Sequence, residues 1–340
     1  MIDINNWVSE IISSPERIAL PIMTHPGIEM IGRSVKDAVQ SGEVHAQAIK
    51  KLSEVYPSAA TTVIMDLTVE AEAFGAPVSI QEDEMPHLLG RLLSNAEEVE
   101  ALQVPDLSAG RIPQYLLANR LTVEWNHDKP VFAGVIGPFS LAGRLYDMSE
   151  IMVACYTEPE TIHVLLDKCT EFILKYCTEL KRIGCSGVLI AEPAAGLLSN
   201  EDCIDFSSIY IKRIVETLQD NSFLVILHNC GNTGHCTDAM LYTGANAYHF
   251  GNAIDMVDAL RSCPKDKLIL GNVDPVGILK QLSASGVEAY VSNLLDKTAG
   301  FGNFVLSTGC DLPPQVPAEN IRAFFSALKE FNHIDVLQSV

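Results

Sequence analysis

Basic residues are scarce in this chain: 23 Lys and Arg stand against 43 Asp and Glu, a formal net charge of -20. Such a field repels polyanions, so neither nucleic acid nor an anionic membrane surface is an expected partner. Long apolar runs are missing as well, none approaching the roughly 18 residues of a membrane span. The opening Met1-Ile2-Asp3-Ile4-Asn5-Asn6 lacks the basic start of a signal peptide, which predicts a cytoplasmic protein. No Gly/Ser-rich linker, internal repeat or low-complexity tract divides the chain, so one domain over 1–340 is expected. What is abundant is apolar: 48% of residues are hydrophobic and only 19% charged, enough to bury a large core. The nine cysteines are an odd number scattered along the chain, which argues against a disulfide framework. Cys155, Cys169 and Cys177 sit in helical apolar patterns and read as small buried hydrophobes.

Short apolar or β-branched runs alternate with amphipathic stretches along nearly the whole length. Eight strands are predicted, over 18–23, 60–65, 130–136, 187–191, 223–227, 245–250, 267–273 and 303–307, with helices over 34–55, 158–183, 202–219 and 277–299. Pro317 marks the first turn of a closing helix. The alternation predicts an α/β fold, a single (β/α)₈ TIM barrel. Residues 1–16 read as an N-terminal helical extension, and 78–129 as an insertion of helices between strands two and three.

A polar group follows most of the apolar runs: Thr24-His25, Asp66, Glu192, His228, Asn252, Asp274 and Cys310. Strand C-termini in such a barrel open on one face, where active sites lie. His228-Asn229-Cys230, with Cys310 beyond 79 further residues, is the most informative group among them. One imidazole and two thiolates are zinc ligands, and three of them leave a tetrahedron open for chemistry. Gly231 and Gly309 would let the backbone bend inward there. A local rival uses His228, Cys230, His235 and Cys236 as a closed structural site; Thr233, read as an N-cap, would instead put His235 and Cys236 in a helix. Asp66 and Glu70 share a face if a helix begins between them, as catalytic or outer-shell groups or as caps. Glu192 and His249 are candidates for the open metal position, or polar groups at the rim. His25, Asn252 and Asp274 are candidate substrate contacts, Asp274 before Pro275 also suiting a turn.

His-x-Cys after a strand with a distant Gly-Cys resembles the zinc motif of the methylcobamide:coenzyme M methyltransferases, within the uroporphyrinogen decarboxylase superfamily of TIM barrels. Asp66-Leu67-Thr68-Val69-Glu70-Ala71-Glu72-Ala73 resembles the same branch, while Gly137-Pro138-Phe139-Ser140 and Gly271-Asn272-Val273-Asp274-Pro275 are similar to the superfamily at large. The resemblance implies zinc held by His228, Cys230 and Cys310, with a small thiol such as coenzyme M as the fourth ligand. It further implies that the thiolate attacks the methyl group of methylcobalamin on a separate corrinoid protein, leaving cob(I)alamin and a thioether. Two thiolate ligands reduce the metal's Lewis acidity and leave the bound sulfur more charge for attack. The competing expectation is decarboxylation of a porphyrinogen. A substrate with eight carboxylates needs several Arg or Lys donors, and residues 20–30 contain no arginine.

Overall fold

The structure, a computed structural model, describes residues 2–338. Its main sheet has seven parallel strands: β1 (Thr61–Thr62) is followed, after the small antiparallel hairpin of β2 (Val78–Ser79) and β3 (His87–Leu88), by β4 (Val131–Ile136), β5 (Gly187–Ala191), β6 (Leu224–Asn229), β7 (Ala247–Phe250), β8 (Leu268–Val273) and β9 (Phe304–Thr308). They lie in the order β1-β4-β5-β6-β7-β8-β9, each with its successor in chain order, in a curled, TIM-barrel-like arrangement.

The expected first strand over 18–23 is not a regular strand. Ala19 makes a single parallel bridge to Leu306, and the N–H groups of Ile22 and Thr24 go to side-chain acceptors, Thr308 Oγ1 and Asp311 Oδ1. The segment still spans the two sheet edges: Leu20 N–H donates to Leu306 O, and Ala59 N–H to Ala19 O. The second expected strand is cut short at Thr62 because Ile64 N–H donates to His45 Nε2 instead of a neighbouring strand. The helix expected over 34–55 is two, Val35–Gln40 and Gly42–Val55, broken at Ser41, whose hydroxyl caps the second by accepting from Val44 N–H. Between β1 and β4 lie the helices Val69–Ala73, Ala96–Ala101 and Ile112–Trp125 besides the hairpin.

Strand periodicity sorts the side chains into two layers. Phe132, Leu189, Leu224, Ile226, Ala247, Leu268, Leu270 and Val305 form one apolar cluster with Leu20, Ile22 and the N-terminal helix residues Ile4, Val8 and Ile11. The alternate positions, among them Val131, Val188, Val225, Tyr248, Ile269 and Leu306, pack instead against the surrounding helices. Two residues beyond Ile226, Ala247, Leu270 and Val305 on that inner face stand His228, His249, Asn272 and Ser307, all buried. Register confirms the layer: His228 is paired with His249, and Asn272 with Ser307.

Candidate metal centre

β6 carries His228 into this polar layer and the chain leaves it through Cys230; β9 ends at Thr308, just before Cys310. Among the described residues one His/Cys/Asp/Glu group is close enough to hold a metal ion, His228, Cys230 and Cys310, whose ligand atoms lie within 4.8 Å of one another. Cys230 and Cys310 are also the two cysteines of the nine that are not fully buried. Gly309 and Gly231 act by close approach. A Cβ on Gly309 would lie 2.7 Å from Asn252 N, and one on Gly231 2.6 Å from Pro193 O.

Three features of the group suit a cation. His228 Nε2 is buried and has no hydrogen-bond partner among the described residues, a costly state unless a ligand meets it. One of the two thiols is poised for ionisation: the hydrogen bond from Cys310 draws the Cys230 thiol down to about 7, against the opposing effect of burial. The same bond, followed by burial, pushes Cys310 up, so the pair readily carries one negative charge. Opposite the open nitrogen, His228 Nδ1 lies 2.8 Å from His249 Nδ1, and His249 Nε2 lies 2.8 Å from Ser307 Oγ.

That arrangement gives His249 a place other than the open metal position. Both its nitrogens are engaged behind His228, and burial, then the adjacent His228, hold its pKa well below the ordinary value. Glu192 is likewise committed. Oε1 accepts from Phe139 N–H at 2.8 Å and Ser207 Oγ–H at 3.0 Å, and Oε2 from Ser140 N–H at 2.9 Å. The carboxylate thus caps the N-terminus of helix Pro138–Tyr146, although its burial pushes the pKa up. The local rival is not formed: His235 Nε2 bonds to Leu198 O and the Cys236 thiol donates to the same carbonyl. Thr233 is not the N-cap. The helix starts at Thr237, and Asn232 Oδ1 shapes the turn by accepting from Gly234 and Cys236 N–H.

Asp66 and Glu70 lie in a second buried cluster outside the metal group. Asp66 forms an ion pair with Arg111 and accepts from Tyr115 Oη at 3.1 Å and from Thr68 N–H at 2.9 Å. Arg111 also pairs with Glu72. Glu70 Oε1 accepts from Ile136 N–H, while its buried Oε2 has no partner among the described residues; burial raises its pKa to about 7. His25 is buried at the start of helix His25–Met30, with its pKa lowered by burial. Asp274 Oδ1 accepts from Val276 and Gly277 N–H, a turn, and Asn252 lies against Gly309 beside Cys310.

The residues that spacing did not single out are Ser307, Arg111 and Tyr115. Ser307 has a signal, being two residues on from the inward Val305. Arg111 and Tyr115 have none, since they meet Asp66 from a helix more than forty residues away.

The uroporphyrinogen decarboxylase (URO-D) family model matches residues 14–331. A methylcobamide:CoM methyltransferase (MtbA) of Methanosarcina mazei is 29% identical over 301 residues, covering 86% of this chain and 87% of that protein. The uroporphyrinogen decarboxylase of Sodalis glossinidius is 26% identical over 297 residues, covering 84% and 81%. Among solved structures, a methyltransferase from Methanosarcina mazei superposes with a TM-score of 0.87 at 22% identity over 97% of this chain and 99% of its own. Matched along nearly its whole length, the chain belongs to the uroporphyrinogen decarboxylase (URO-D) family.

Proposed function

We propose that this protein is a zinc-dependent methyltransferase that moves a methyl group from a methylated corrinoid, carried on a partner protein, to a small thiol such as coenzyme M. The observation that carries the reading is a His228 ring nitrogen within 4.8 Å of two half-buried thiols, in a ring whose buried Nε2 has no partner among the described residues. His228, Cys230 and Cys310 would hold the ion, and the substrate sulfur would complete the set. When bound, zinc supplies a site where a thiol stays ionised at neutral pH and remains nucleophilic. The residues of this chain do the rest: the lowered Cys230 pKa lets the ligand pair give up its first proton, and the apolar layer beneath His228 keeps water from below. In the transfer itself a sulfur–carbon bond forms as the cobalt–carbon bond breaks, its electron pair remaining on cobalt. The relatedness to two methylcobamide:CoM methyltransferases, at 29% and 28% identity, supports this branch over the decarboxylases at 25–26%.

A reducing compartment fits nine free cysteines, and we place the protein in the cytoplasm. Among the described residues no helix is long and apolar enough to cross a membrane. The reading is tested by zinc-edge X-ray absorption with and without candidate thiols. One nitrogen and two sulfur scatterers, with a third sulfur on adding the thiol, are expected. An unchanged shell with every thiol, or porphyrinogen decarboxylation by the zinc-free protein, would overturn it.

A further inference from the structure

Behind the ligand nitrogen runs a chain of three short hydrogen bonds whose direction is set at both ends. Ser307 Oγ lies 2.7 Å from Leu20 O. A carbonyl can only accept, so the single hydroxyl proton is given to Leu20. The serine oxygen must then accept from His249 Nε2–H at 2.8 Å. With its proton on Nε2, neutral His249 presents a lone pair at Nδ1, which accepts from His228 Nδ1–H at 2.8 Å. The other end agrees independently, because His228 Nδ1 also lies 3.3 Å from His249 O, another pure acceptor. Reversing the order would leave Leu20 O without the hydroxyl proton and turn a His228 lone pair onto a carbonyl. With the proton on Nδ1, the lone pair of His228 is left on Nε2, the buried nitrogen that has no partner among the described residues.

We propose that Ser307 and His249 are positioning residues that lock His228 in the Nδ1–H tautomer and aim its Nε2 lone pair at the metal, with the barrel-closing segment at Leu20 as the anchor. The inference rests on the zinc reading for its purpose, but not for its geometry. It gives His249 work without placing it in the coordination sphere, and explains why a serine stands where the strand pattern would accept valine. Groups behind a metal-bound histidine characteristically fix its tautomer and ring orientation, and losing one weakens the metal about 10–100-fold.

Two measurements test it, neither requiring thiol or corrinoid. In the zinc-free protein, ¹⁵N chemical shifts of the histidine rings should show His228 protonated at Nδ1 and His249 at Nε2. In Ser307→Ala, the fixed tautomers should give way to a mixture. In competition with a chromophoric chelator, Ser307→Ala and His249→Phe should each bind zinc about 10–100-fold more weakly than wild type. Ser307→Thr, which keeps the hydroxyl, should stay near the wild-type value. A wild-type spectrum with the proton on His228 Nε2, or folded Ser307→Ala and His249→Phe proteins with unaltered zinc affinity, would overturn the proposal. If wild type takes up no zinc, the functional reading fails, while the tautomers of the zinc-free protein still decide this one.

Discussion

Replacing Gly137 by alanine should destabilise the protein far more than a single methyl group ordinarily does. Gly137 has φ -80° and ψ 160°, an extended conformation open to any residue, so backbone strain is not the reason. The reason is space. A Cβ there would lie 2.5 Å from Glu192 Cδ and closer still to Oε2, and the carboxylate is pinned between Phe139 N–H, Ser140 N–H and Ser207 Oγ. Relieving the overlap means either shifting packed backbone, at about 1–3 kcal/mol, or withdrawing Glu192 from bonds worth about 1.5–3 kcal/mol each for a charged acceptor. The cheaper route sets the cost, so a loss of about 1–3 kcal/mol follows, read as a fall in the urea midpoint at unchanged m-value. Glu192→Gln should cost less, since one oxygen still accepts, and should leave zinc content untouched. A loss below about 1 kcal/mol in Gly137→Ala would refute the assignment of Glu192 as the anchor of helix Pro138–Tyr146.

Cys310→Ser should lose most of its zinc, by metal analysis after gel filtration, with an unchanged far-ultraviolet circular dichroism spectrum; full zinc would remove Cys310 from the ligand set. Glu70 has a folded-state pKa of about 7, raised by burial from 4.5, so between those values the unfolded chain releases its proton first and stability falls as pH rises. The loss approaches about 3 kcal/mol above pH 7, and Glu70→Gln should flatten that part of the stability–pH curve; an equally steep curve would contradict it. Arg111→Ala strands Asp66 as an unpaired buried carboxylate and should cost about 3–5 kcal/mol in denaturant unfolding, more than Asp66→Asn in the same assay.

Much of the architecture was legible in the residues. The sheet strand expected over 187–191 is observed at those bounds, because a five-residue apolar run flanked by helical patterns has few other ways to be buried on both faces. Alternation along 224–228 and 303–307 likewise shows which side chains turn inward. The segment over 18–23 was harder, as its apolar pattern is strand-like while its N–H groups find side-chain acceptors on residues nearly three hundred positions away.

The amino-acid order alone made the family legible and brought forward the candidate ligand set. One imidazole and two thiols after predicted strand ends have the chemistry of a soft-metal set, and the motifs around them lie in continuous stretches. Only the tertiary structure decided which partners each remaining polar side chain meets. Whether Glu192 meets a metal or a helix terminus, whether Asp66 stands open or clasped by Arg111, and whether His249 binds an ion or steadies its neighbour depend on atoms distant in the chain. The reason is that a side chain's type sets what bonds it can make, while a hydrogen bond exists only over the few tenths of an ångström that folding supplies.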